Sequence, residues 1–274
     1  MRYISAATVV LISLFLFVGC NNENDSINSS DTSNLIGPSP GIPLETIMDD
    51  YAQNIDTTKV IGNLELSNLN ASIYDDTTFI FSENKATLFI FGPNDSSYTV
   101  QGKSLINSEN MVEMINSSNR YWANGDMQDL NNLNLHFGSA NSVQIGSTAI
   151  SGAIDTTINL FDLTKITNIQ NGDTISKSSG LTVNWNSTNT DYVGVNILQV
   201  KFPNSSDEGI RSGGCYLENT GNYTFPSSQL QSFPNGLYDI TLNNFYPYFL
   251  YDDNQNIIIA VAQSKRRITV YLDD

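Results

Sequence analysis

Apolar positions keep three different rhythms along the chain. Residues 6–18 form an apolar run broken only by Thr8 and Ser13, whereas residues 21–39 carry almost no apolar side chains. The second stretch, rich in Asn, Ser and Asp, cannot bury enough surface to offset the entropy of ordering it, which predicts a flexible tether. Taken to Pro43, a coil of this length reaches about 27 Å. In Leu44-Glu45-Thr46-Ile47-Met48-Asp49-Asp50-Tyr51 the apolar residues recur at spacings of three and four, which predicts a short amphipathic helix.

After that helix the period falls to two. Val60, Leu64, Leu66 and Leu69, then residues 78–81, then residues 86–91, read as strands of antiparallel hairpins with turns at Asp75-Asp76 and Glu83-Asn84. Residues 98–101, 133–137 and 143–150 read as further strands, and residues 110–115 as a helical turn. The pattern restarts near Phe161. A strand, an Asn171-Gly172 turn and Ile175-Ser176-Lys177 lead into a strand on which Leu181, Val183 and Trp185 share one face. Thr182, Asn184 and Asn186 take the other, so a sheet covered on one side is predicted, with Trp185 in its core. Residues 193–197, 238–242, 257–261 and 268–272 supply later strands. The predicted class is all-β, with two antiparallel β-sandwich-like domains at residues 44–160 and 161–274 behind a leader (1–19) and a tether (20–43).

The leader decides where the rest resides. Arg2 and the amino terminus precede the apolar run, as in a signal peptide, and the run is shorter than the ~20 residues a spanning helix needs. Leu14-Phe15-Leu16-Phe17-Val18-Gly19-Cys20 resembles the lipobox of bacterial lipoproteins, with Phe17 where that family usually has Leu. The resemblance implies cleavage before Cys20 and a diacylglyceryl thioether on its sulfur. At ~0.8 kcal/mol for each buried methylene, two or more acyl chains hold firmly. Asn21, Glu23 and Asp25 after the cysteine resemble the start of outer-membrane and surface-exported lipoproteins of the Bacteroidota kind. Outer-membrane anchoring through Cys20 is thus the implied location. Ordinary secretion, with Cys20 left as a thiol, is the alternative.

The C-terminal half carries a second resemblance. Its strand, Asn-Gly turn, Ile-Ser-Lys, Leu-x-Val-x-Trp and alternating 193–197 are similar to immunoglobulin-like modules of bacterial surface lipoproteins. The likeness covers about residues 165–272, including Cys215-Tyr216 and residues 219–226. It implies an immunoglobulin-like sandwich and is nearly silent on activity, because such sandwiches carry unrelated functions.

Charge then narrows the partners. With 28 acidic and 12 basic residues the 274-residue chain has a net charge of −16, which disfavours phosphate backbones, so no nucleic acid is expected. Lys265-Arg266-Arg267 reads as a charged guard opening the last strand. Lipidation of Cys20 would leave Cys215 without an intrachain partner, as a buried thiol. His136 is the single histidine, which excludes two-histidine metal sites. Gly37-Pro38-Ser39-Pro40-Gly41 matches Gly-x-Ser-x-Gly but lacks the strand and helix a nucleophile elbow requires. Asp252-Asp253-Asn254-Gln255-Asn256 starts like a calcium loop, yet Ile257 and Gln263 stand where Gly and Glu are needed, so a polar hairpin turn explains it better. No catalytic set, metal set or cofactor motif is legible.

One stretch has the chemistry of a sugar site. Arg120, Tyr121, Trp122, Asn124 and Asp126 combine aromatic faces with hydrogen-bonding side chains; a core Trp beside a polar turn is the other reading. Asp-Thr-Thr at residues 56–58, 76–78 and 155–157 resembles O-glycosylation sites of exported bacterial proteins, against ordinary turn chemistry. The expected function is a non-catalytic module binding an extracellular glycan or protein. The alternatives are a hydrolase with a carboxylate pair drawn from distant strands, and a structural envelope component.

Overall fold

In the computed structural model the described residues are 41–74, 78–91, 99–116, 119–124, 133–186, 189–200 and 212–274. The leader, Cys20 and the tether up to residue 40 lie outside them. Helix α1 (Leu44–Ala52) forms where the three-and-four spacing placed it, turning Ile47 and Met48 inward. Strands β1 (Val60–Tyr74) and β2 (Thr78–Ile90) follow as one long hairpin. Glu83-Asn84 is therefore strand and not a turn. The Asn84 side chain accepts from Asn68 Nδ2 at 2.7 Å across the pair and donates to the Leu133 carbonyl, which lets a turn-forming residue sit in a ladder.

Strands β3 (Leu105–Ile106), β4 (Glu109–Asn116), β5 (Asn119–Asn124), β6 (Ala140–Ile145) and β7 (Ile154–Asn159) complete the first half. Residues 110–115, expected as a helical turn, are strand instead, because a hairpin with β5, and β3 at Asn110, satisfies the backbone. Residues 133–137, expected as a strand, are irregular. Here the fully buried Asn141 carboxamide stands in for a ladder, accepting from His136 N and donating to His136 O, each at 2.8 Å. Of residues 98–101, Tyr98 lies outside the described residues and Gln101 makes a single bridge to Ser147. The strand expected at 143–150 ends at Ile145.

The second half contributes β8 (Thr174–Ser176), β9 (Leu181–Asn184), β10 (Tyr192–Gln199), β11 (Ser212–Glu218), β12 (Asn222–Phe225), the one-turn α2 (Ser227–Leu230), β13 (Gly236–Tyr251) and β14 (Ile257–Asp273). Residues 257–261 and 268–272, expected as two strands, are one. Lys265-Arg266-Arg267 thus sits in mid-strand: Arg266 reaches the Asn70 side chain on β1, and Arg267 pairs with Asp239 at 2.7 Å. The main sheet runs β11-β10-β13-β14-β1-β2-β5-β4-β3-β6-β7, with β8 also on β14. It departs from an antiparallel pattern where β14 pairs with β1 and with β8, both parallel.

The fold is all-β and sandwich-like around two main cores. One gathers Leu64, Leu88, Val143, Ile154, Ile158, Leu250 and Ala260; the other gathers Leu181, Val183, Trp185, Val195, Phe225, Ile240 and Val270. In the second, the β9–β12 ribbon faces the β10, β13 and β14 layer across Trp185, the immunoglobulin-like arrangement expected. Both cores use the same face of β13 and β14. Between them runs a polar row, Asn244–Ser264–Asn68–Asn84, one residue from each of four adjacent strands. A third cluster lies on the opposite face, where α1 covers Phe245, Ile257, Ile259 and Val261. Residues 257–262 are apolar without alternation because both faces there are covered.

Candidate functional site

Two polar strand ends meet where β10 begins and β11 stops. Tyr192 is the register partner of Glu218, and Asn219 N donates to Asp191 O at 2.8 Å, so the chain reverses with both carboxylates at one rim. Gly221, at φ +88°, completes the turn into β12 in a conformation that a side chain would strain. The result is an open depression of about 490 Å³ lined by Thr190, Asp191, Tyr192, Glu218, Asn219 and Thr220.

Its floor is tied to the core. Asn219 Oδ1 accepts the indole N–H of Trp185 at 2.7 Å, while Asn219 Nδ2 donates to Thr190 O at 3.0 Å and Thr190 Oγ1 at 3.1 Å. Asn244, fully buried, also donates to Thr190 Oγ1 at 3.0 Å. The loop cannot shift without breaking this network, so the lining residues are held in place.

Helix α1 supports one lining residue, Tyr192. Tyr192 donates its hydroxyl to Asp50 Oδ2 at 2.6 Å, and that bond, with a lesser contribution from burial, pushes the Tyr192 pKa up to about 12. Tyr51 meets Tyr192 edge-on at 5.8 Å between ring centroids. Burial, followed by the charge of Asp191, raises the Tyr51 phenol well above the usual tyrosine range. The Asp191 and Glu218 carboxylates and the Thr220 hydroxyl stand at the rim beside the aromatic face of Tyr192.

The residues singled out from sequence are elsewhere. Arg120, Tyr121, Trp122 and Asn124 belong to β5, with Trp122 registered against Glu113 and Leu88, while Asp126 lies outside the described residues. His136 is exposed, its Nε2 bonded to Asn134 Oδ1 at 2.6 Å, and sits in an irregular segment instead of the strand expected. Cys215 is buried, as expected.

The Asp252 turn is the polar hairpin expected between two strands. Its carboxylate accepts from the backbone of Asn254, Asn256 and Gly152, each at 2.8 Å, and from Asn256 Nδ2 at 2.9 Å. Burial works against ionisation there, but these donors prevail and hold the carboxyl below the usual range. Among the described residues no group of three or more His, Cys, Asp or Glu side chains could hold a metal ion. Of the Asp-Thr-Thr sites, Asp56 caps a turn by accepting from Thr58 N and Oγ1, residues 155–157 lie in β7, and Asp76 is outside the described residues.

No known protein family and no curated protein matches the chain. Among solved structures it is similar to the crystal structure of DIP-gamma IG1+IG2, at 9% identity and a TM-score of 0.22, over 79% of this chain and 99% of that one. It is also similar to Dpr11 IG1 bound to DIP-gamma IG+IG2, at 10% identity and a TM-score of 0.19, over 78% and 98%.

Proposed function

We propose that this protein is an outer-membrane lipoprotein, anchored through acylated Cys20, whose folded part is a non-catalytic binding module for an extracellular glycan. The lipobox-like Leu14 to Cys20 stretch supports the anchor and location. The depression between β10 and β11 carries the binding reading. It is open and polar, with Asp191 and Glu218 to accept from sugar hydroxyls, Asn219 at its base and the Tyr192 ring at its side. An enclosed, mostly apolar cavity would suit a cofactor or lipid better.

Two experiments test this. Growth with a clickable palmitate should label the wild-type protein and leave Cys20→Ala unlabelled; equal labelling sinks the anchor. On a glycan array the purified protein should retain a defined set of sugars, and Asp191→Asn with Glu218→Gln should abolish that retention. Failure of the wild type to retain any glycan removes the reading. Recovery of a single protein partner in a cell-surface pulldown, lost in the same double variant, would move the ligand class from glycan to protein.

A further inference from the structure

We propose that residues 41–52, the chain entry and α1, form a releasable strap whose docking holds Tyr192 in place at the depression. The inference rests on the reading of that depression as the ligand site, and it gives that site a conformational control.

The entry lies along β11, the end strand of the main sheet. Ile42 N donates to Tyr216 O at 2.8 Å, and a Cβ on Gly41 would come within 2.5 Å of Cys215 Cβ, so the two backbones are in close contact. Helix α1 follows at once. It spans nine residues and its N-cap, Pro43, offers no side-chain acceptor. Helices shorter than ~12 residues are marginal alone, so α1 persists through its contacts with Tyr216, Phe245, Ile257, Ile259 and Val261.

Those contacts are opposed by unmet polar groups. On the covered face, Gln263 is the cross-strand partner of Phe245, and Asn243 lies two residues before Phe245 on the same face. Both are more than nine-tenths buried, and Gln263 Nε2 and both polar atoms of Asn243 are unpartnered. Opening this region to water would satisfy them, which offsets part of the apolar burial lost. A short helix with such an interface belongs to the low-stability end of a fold.

Release would be felt in the depression, because Asp50 and Tyr51 are the residues that hold Tyr192. One accepts its hydroxyl at 2.6 Å and the other packs against its ring. Undocking α1 removes both supports from a lining residue at once.

Amide hydrogen exchange on the full chain tests this without any ligand, so an empty glycan array leaves the outcome open to measurement. In the wild type, residues 44–52 should exchange through local opening, faster than the centre of β13. Tyr192→Phe should speed exchange ~5-fold or more at both 44–52 and 190–192, as the loss of one hydrogen bond to a charged group implies. The proposal fails if α1 exchanges only together with β13. It fails equally if Tyr192→Phe leaves residues 190–192 unchanged.

Discussion

Asn219 accepts the indole N–H of Trp185 at 2.7 Å and so fastens the floor of the surface depression to a buried ring of the second core. Replacing Asn219 with Ala strands that N–H and removes one donor from Thr190. The expected cost is about 1–3 kcal/mol. Urea denaturation followed by tryptophan fluorescence should show a lower midpoint with an unchanged slope. A midpoint equal to wild type would mean that the network adds nothing to stability.

Asp252 ties the β13–β14 turn to Gly152 through a carboxylate held below its ordinary pKa. Because the folded value is depressed, the folded state favours the ionised form. Its contribution is complete above the unfolded value near ~3.9 and is lost as pH falls through the lower folded value. The urea midpoint of the wild type should therefore drop below pH ~4. In Asp252→Asn the midpoint should start lower at pH 7 and fall less over the acid range. Parallel acid profiles would contradict this.

Tyr192 carries the opposite sign, since Asp50 and burial push its phenol up to about 12. The folded state holds the proton more tightly, so its contribution is complete below the unfolded pKa of ~10 and is lost as pH rises towards 12. Ultraviolet titration of wild type minus Tyr192→Phe should isolate one phenol ionising near pH 12. Asp50→Asn should bring that phenol back towards 10, and no movement would show that Asp50 is not the cause.

Lys177 is buried, donates to the Phe233 carbonyl at 3.1 Å and pairs with Asp274 at 2.7 Å, a residue whose side chain is 84% exposed. The two ends of this pair should respond unequally. Lys177→Ala leaves a buried carbonyl without its donor and a space in the core, for a loss of about 2–4 kcal/mol. Asp274→Ala removes an exposed charge already screened by solvent and should cost much less. Thermal unfolding of the two variants separates them; equal losses would place the energy in the ion pair itself.

Much of this architecture is legible residue by residue. Alternation placed Leu181, Val183 and Trp185 on one buried face, and three-and-four spacing placed Ile47 and Met48 inward on α1, because burial on one side imposes those periods directly. Local propensity failed where a distant side chain supplied what the backbone lacked. Glu83-Asn84 has turn composition yet lies in β2, held by Asn68 sixteen residues away. Residues 133–137 alternate like a strand and are not one, since Asn141 satisfies their backbone instead.

The sequence by itself determined the all-β class, the core role of Trp185, the polar turn at Asp252 and the weight of acidic charge, all of which follow from composition and short-range period. Only the tertiary structure decided that β1 and β14 pair in parallel, that Lys265-Arg266-Arg267 lies in mid-strand, and that Asp50 meets Tyr192. It also decided that Asp191 and Glu218 share one rim. Such contacts join residues far apart in the chain, and their pairing depends on which strands are neighbours, a choice that no local pattern encodes.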